Sequence, residues 1–380
     1  MRILIASDVA RLREAGTAGV VLNHAAQLRK CGHEVDCLFL DDVLDERERK
    51  GRFAALRFSF RIAKRVRRDA GKYDVVNLHG PSGCIYGLRR KLGSSAKTPP
   101  FVFTIQGIVE RYAHVMRREH RKGRAWHFGL KNRLWHRFYH QTMFSIAIRT
   151  ADYGIASNRE AWTYPELVHD RDPGRIHYVP NGVEEMFFIA RRYEDHSPLR
   201  LLFVGTWLDR KGVYYLVDAL RILLQNGRSV RLTVAGSLVS EAEVMKLFPL
   251  GVQSNVSVLP FVTREQIPEL YARHDIFVFP SLMEGMPLSL LEAMASGMPV
   301  VSTYNSGMAD VVEDHFNGLA VADADAQALA DAIEKLCGSA ALRKQLGEEA
   351  ARTMRRYTWE YVTRQVETVL SMAVQNIAKS

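Results

Sequence analysis

Residues 276–303, IFVFPSLMEGMPLSLLEAMASGMPVVST, constrain the fold more than any other stretch. Ile276 to Phe279 is a short apolar, β-forming run, and Val300 to Thr303 is another. Between them, Pro287 stands where a helix would begin and Gly297 just past where it would end. The stretch therefore predicts strand, loop, helix, strand. Leu290, Leu291, Ala293 and Met294 surround Glu292, so the helix is mostly buried and its carboxylate needs a partner. A second carboxylate, Glu284, lies in the loop before the helix.

Glu292 falls about one turn inside the helix, ~6 Å along its axis. Helical side chains lean toward the N-terminus, so Glu292 is expected to point toward the same opening as Glu284. That opening carries the N–H groups of Gly285, Met286 and Leu288 and the positive end of the helix dipole, which suits an anion. A nucleotide diphosphate-sugar fits this pattern. Its phosphates would sit at the helix start, its ribose hydroxyls on Glu292 and its sugar hydroxyls on Glu284. A Glu before a helix or within one is also a common surface feature. The apolar flanks of Glu292 count against that plainer reading.

Glu284 and Glu292, with Gly285 and the run Glu-Ala-Met-Ala-Ser-Gly-Met-Pro-Val-Val, resemble the E-x7-E signature of the family 4 retaining glycosyltransferases. The resemblance covers nearly the whole chain and is strongest in its second half. It implies the α/β GT-B fold: two Rossmann-like, doubly wound domains facing across a cleft. Residues 1–190 would bind the acceptor and 191–356 the nucleotide-sugar. A helix in 357–380 would cross back to the first domain.

Length and composition agree with such a chain. The 380 residues are enough for two domains, and 47% apolar with 25% charged content is ordinary for a soluble protein. Cys31, Cys37, Cys84 and Cys337 lack metal-site spacing and read as reduced thiols of a cytosolic protein. No apolar run approaches the ~18–20 residues of a membrane-spanning helix. The opening MRILIASDV reads as a strand rather than a signal peptide. The net charge is uneven. Residues 1–190 hold 33 Lys+Arg against 20 Asp+Glu, and residues 191–380 hold 19 against 22. The basic excess lies wholly in the first half and points to an anionic partner there.

Along the first half, RILIAS is a buried strand, followed by a polar loop containing Gly16 and Gly19, a helix from about Val20 to Lys30 and a strand at 33–40. This βαβ unit predicts a parallel sheet. Gly16 and Gly19 would let backbone approach a ligand, or simply make a tight turn. They lack the G-x-G-x-x-G spacing of a dinucleotide site. Residues 47–72 carry 11 Lys+Arg against two acids, with Phe53, Leu56, Phe60, Ala63 and Val66 as the apolar stripe. Such a helix either lies on an anionic membrane or packs its stripe on the sheet. His79 and Gln106 end two further strands, where open α/β sheets bind ligands. His79 is either an acceptor or sugar contact or a satisfied core residue. The family often has His where Gln106 stands. Residues 111–140 combine nine Lys+Arg, five His and several aromatics, which suits nucleic acid, a membrane interface or simply a solvated helical pair, and the resemblance implies that this region borders the acceptor. No nucleic-acid module is recognisable.

In the second half, Gly205 ends a strand, and Arg210-Lys211 precede a helix where they would neutralise a diphosphate. The resemblance implies a phosphate contact at Lys211. The Arg usual after the strand's Gly is Thr206 here, which shifts that contact toward Arg210. Asp323-Ala-Asp325 looks like a metal-binding D-x-D but precedes a helix and reads as a cap. The expected activity is sugar transfer from a UDP- or GDP-sugar to an acceptor hydroxyl with retention. No metal or other cofactor is expected. The acceptor would be a lipid-linked or phosphorylated glycan of cell-surface polysaccharide or glycoconjugate synthesis. The chain is expected in the cytoplasm, either free or peripheral at the inner face of the membrane. The competing reading is a catalytically inactive relative that docks to a membrane or to another enzyme.

Overall fold

The computed structural model describes residues 1–12, 16–93 and 98–379. Two parallel six-stranded sheets form, each the centre of its own compact unit. Unit 1 comprises residues 1–113, 127–182 and 359–380, and unit 2 comprises 114–126 and 183–358. The division falls at 182/183 and 358/359 where the sequence suggested 190/191 and 356/357, and residues 114–126 leave the first unit altogether. The reason lies in that segment's polar anchors. Tyr215 Oη donates to both carboxylate oxygens of the buried Glu119, at 3.0 and 2.8 Å, and Lys122 Nζ donates to Tyr215 Oη at 2.9 Å. Arg118 also pairs with Asp323.

The first sheet contains β1 (Arg2–Ser7), β2 (Glu34–Leu38), β3 (Val75–His79), β4 (Phe101–Ile105), β5 (Tyr153–Ala156) and β6 (Ile176–Tyr178), in the order β2-β1-β3-β4-β5-β6. β3 and β4 are buried at every position, as the apolar runs of a sheet covered on both faces require. The Trp359–Lys379 helix packs Val362, Val366, Val369 and Leu370 into the core of this unit beside the Gly16–Lys30 helix. His24 on that helix meets Thr363 Oγ1 at 3.0 Å and the edge of Trp359 at 5.0 Å.

Two local expectations change. The first helix starts at Gly16 rather than near Val20, because Ala18, Gly19, Val20 and Val21 are all buried and tertiary burial outweighs the glycines' low propensity. The loop at 13–15 lies outside the described residues. In the Ala54–Arg68 helix the inward stripe is Phe58, Ile62, Ala63 and Val66, while Phe53 and Phe60 face solvent. Two stripes overlap in that sequence at helical spacing, and the sheet selects one.

The second sheet contains β7 (Leu199–Val204), β8 (Val230–Ala235), β9 (Val256–Leu259), β10 (Ile276–Phe279), β11 (Val300–Thr303) and β12 (Leu319–Val321), in the order β12-β11-β10-β7-β8-β9. The strand order reverses between β7 and β10. A doubly wound sheet opens a ligand crevice at the carboxyl ends of such a strand pair. Asp325 caps the following Ala326–Cys337 helix by accepting from Ala328 N at 2.9 Å, the capping role expected for it. Among the described residues no cluster of His, Cys, Asp and Glu is arranged to hold a metal, and no helix is long and apolar enough to cross a membrane.

Candidate active site

β10 delivers the chain to the crevice of unit 2, and the loop at 280–287 turns it into the Leu288–Ala295 helix. Pro287 is the N-cap of this helix and offers no side-chain cap. Its other end closes as the sequence suggests. Gly297 takes φ +70°, its N–H bonds to Met294 O and the N–H of Met298 bonds to Ala293 O, a Schellman stop. On the β7 side, a short turn at Asp209–Lys211 leads through Gly212 into the Val213–Gln225 helix. Gly212 has φ +71°, and a Cβ there would lie 1.9 Å from Pro280 O, so only glycine lets the two loops meet.

Where they meet, three donors converge on one carboxylate oxygen. Arg210 Nη1 lies 2.6 Å, Lys211 Nζ 2.8 Å and Ser281 Oγ 2.8 Å from Glu284 Oε1. Burial pushes the Glu284 carboxyl up, but the two cations and the hydroxyl outweigh it and hold it below the usual carboxylate range. Burial pushes the Lys211 ammonium down, against the opposing pull of Glu284. Lys211 Nζ also stands 4.8 Å from the centre of the Phe279 ring. The loop is braced from behind by Thr303 Oγ1, which donates to Ser281 O at 2.6 Å, and by the N–H of Gly307, which donates to Glu284 O at 3.4 Å.

Glu292 is 3% exposed and does have a partner. Arg264 Nη1 pairs with its Oε1 at 2.6 Å, and Tyr271 Oη donates to Oε2 at 3.2 Å. Arg264 also binds Glu184 Oε1 at 2.9 Å, so one guanidinium serves two carboxylates. Burial raises the Glu292 carboxyl, and Arg264 and Tyr271 only partly offset it.

Glu284, Arg210 and Lys211, expected separately from sequence, thus form one cluster, and Gly285, Met286, Pro287 and Leu288 continue from it into the helix. Gly205 ends β7, and a Cβ on it would lie 3.8 Å from Lys211 Nζ. The remaining candidates belong to unit 1. Gly16 and Gly19 open its first helix, with Gly19 O accepting from Asn23 Nδ2 at 3.0 Å. His79 and Gln106 lie side by side. Gln106 Nε2 stands 3.2 Å from His79 Nδ1, and His79 Nε2 stands 2.9 Å from Asn77 Oδ1. Both ring nitrogens are engaged, and burial pushes the imidazole down to about 3, so it is neutral and holds Gln106 in place. Arg264, Tyr271, Glu184 and Ser281 went unnoticed in the sequence. A buried Glu292 announces that a cation is needed, but no local spacing singles out Arg264.

Comparison with known proteins identifies the family. The model of the Glycosyltransferase Family 4 domain matches residues 15–186, and that of Glycosyl transferases group 1 matches residues 187–353. The chain is 33% identical over 183 residues to the amylovoran biosynthesis glycosyltransferase AmsK of Erwinia amylovora, a match covering 46% of this chain and 45% of the relative. The chain thus spans about half the length of the curated relatives it matches. Among solved structures, sucrose-phosphate synthase from Thermosynechococcus elongatus superimposes with a TM-score of 0.78 at 17% identity, covering 100% of both chains. Anabaena HepE in complex with UDP-glucose does so with a TM-score of 0.70 at 16% identity, covering 98% of this chain and 100% of that one. With the two family domains in tandem and two six-stranded parallel sheets beneath them, the chain belongs to the family 4 glycosyltransferases of GT-B fold.

Proposed function

We propose that this chain moves a sugar, with retention of anomeric configuration, from a UDP- or GDP-sugar to a hydroxyl of a lipid-linked or phosphorylated glycan in cell-surface polysaccharide synthesis. One observation carries the donor assignment: Arg210 and Lys211 converge on Glu284 at the crevice of unit 2. Two cations share one carboxylate, so the cluster keeps a net positive charge for a departing diphosphate. The uncapped start of the Leu288–Ala295 helix adds its dipole. Oε1 of Glu284 takes the three protein donors, and we assign Oε2 to the transferring sugar's hydroxyls. Glu292 takes the ribose hydroxyls. The departing phosphate oxygen takes the proton of the attacking hydroxyl on the same face of the sugar, which gives retention without a protein nucleophile. With Arg210 and Lys211 supplying the positive charge, the reaction runs without a metal. The UDP-glucose complex of HepE and the polysaccharide named for AmsK support the donor and pathway classes.

The test is a melting panel of UDP, GDP, ADP and their sugars in the presence of EDTA. A ligand at about 100 times its dissociation constant adds ~2.7 kcal/mol, a clear shift in melting temperature. A shift with one nucleotide series supports the reading and names the donor class. No shift from any nucleotide, in a folded sample, overturns it and favours a docking module.

A further inference from the structure

A buried Glu292 needs a counter-charge, and unit 2 supplies it from a segment held at both ends. After β9 the chain passes through Val262 to a short turn at Arg264–Gln266 and then the Ile267–Arg273 helix. Val262 and Ile267 are buried in the same core as Leu290 and Leu291 of the Leu288–Ala295 helix. The N–H of Thr263 donates to Gln266 Oε1 at 2.9 Å and closes the turn. Between these anchors the Arg264 side chain is only 12% exposed. Tyr271, seven residues on, is fully buried. Glu184 comes from a distant part of the sequence. It follows Val183, which packs in the same core and whose N–H donates to Tyr357 O at 2.6 Å.

The Arg264 guanidinium is engaged on two edges and one face. Nη1 lies 2.6 Å from Glu292 Oε1, while Nε and Nη2 donate to Glu184 Oε1 at 3.1 and 2.9 Å. Its carbon stands 4.5 Å from the ring centre of the buried Phe187, and Phe187 meets Tyr271 edge-on at 5.9 Å. A planar fork of N–H donors can make these contacts together, which a lysine ammonium cannot. A carboxylate offers about four acceptor positions. Arg264 and Tyr271 take two of those on Glu292, and two remain, as many as a vicinal diol has protons to donate.

We propose that Arg264 is a positioning residue for the nucleotide: it fixes Glu292 as an anion with two acceptor positions open to the ribose diol, and Glu184 competes for its charge. This rests on the ribose reading of Glu292. A protonated carboxyl would put a proton where the ribose has to donate one. Burial favours that neutral form, and Arg264 and Tyr271 act against it. Glu184, a like charge on the far side of the guanidinium, acts with burial. These three groups are the charged and titratable neighbours that act on Glu292. A guanidinium that merely braced the fold would make loss of either partner harmful. A positioning role gives the two losses opposite signs: removing Arg264 weakens the anion and removing the Glu184 charge strengthens it.

The test is calorimetric titration of the full chain with UDP-glucose or GDP-mannose, as the melting panel selects, from about pH 5 to about pH 8.5. Wild-type affinity should fall at the acid end as Glu292 takes up a proton. Arg264→Met should bind at least about tenfold more weakly near pH 7 and recover as pH rises, because a buried Glu without a cation titrates as high as about 8–9. Glu184→Gln should hold its affinity to lower pH than wild type does. Glu292→Gln should be weak throughout and lack the acid fall. Wild-type affinity in Arg264→Met, or a loss equal at every pH, would overturn the proposal, and so would weaker binding by Glu184→Gln. Should Arg264→Met not fold, Glu184→Gln decides alone: an acid fall at the wild-type pH or above it overturns the proposal, and one at lower pH supports it. Wild-type affinity in Glu292→Gln overturns the ribose reading and this proposal with it. A weakened Glu292→Gln beside an unaltered Arg264→Met overturns this proposal alone.

Discussion

Lys211 is buried with Glu284 2.8 Å away, and that pair with Arg210 is where residue-scale chemistry is densest. Lys211→Ala removes one of the two cations that the proposed function sets against the departing phosphates. Turnover of the nucleotide-sugar picked out by the melting panel should fall by about 10²–10³. A fall of less than about tenfold would separate Lys211 from the reacting charge. Glu292→Gln probes the proposed ribose contact instead. Losing its charge-assisted bonds should raise the donor dissociation constant about ten- to a hundredfold. The same change leaves Arg264 buried with Glu184 alone, so the melting temperature should fall too. Calorimetric titration keeps the effects apart: an unchanged dissociation constant would sink the ribose assignment even if the protein melted earlier.

At the scale of elements, the active loop is held by close approaches that only glycine permits. A Cβ on Gly307 would lie 1.7 Å from Gly285 O, so Gly307→Ala must push the loop that carries Glu284. We expect a loss of about 2–4 kcal/mol in denaturant unfolding, together with a weakened nucleotide shift. Gly251→Ala is the control. No atom lies within 4 Å of its Cβ, and its effect should stay within about 0.5 kcal/mol. Equal stability of the two variants would mean that the loop yields freely. Elements also show how far local pattern reaches. The stop at Gly297 and the cap at Asp325 are visible as residue types in place. The inward stripe of Ala54–Arg68 is not, because two stripes of similar strength share that helix and only the neighbouring sheet distinguishes them.

For the molecule as a whole, unit 1 is assembled from both ends of the chain, and buried His24 sits where those ends join. Burial pushes His24 down to about 4 and His79 down to about 3, below the ordinary value of about 6.5. Both rings are neutral in the fold. Their stabilising share is therefore complete above pH 6.5 and is lost as pH falls through 4 toward 3. Asp8 works the other way. Burial lifts its carboxyl to about 6, so its share is present below its unfolded value near 3.8 and is lost as pH rises through 6. Melting temperature should fall on acidification from pH 6.5 to 4. His24→Gln, which cannot take up a proton at that site, should flatten the fall. An identical slope in the variant would show that the ring is not a site of acid sensitivity. Strand, helix and loop order, the glycine stops and the carboxylate pair Glu284 and Glu292 were all legible along the chain, because backbone preference and side-chain periodicity depend on near neighbours. Strand order, the passage of 114–126 to unit 2, and the reach of Arg264 to Glu292 across 28 positions were settled by folding. A buried charge is neutralised by whatever counter-charge three-dimensional packing brings within a few ångströms in a low dielectric, and spacing along the chain does not record that distance.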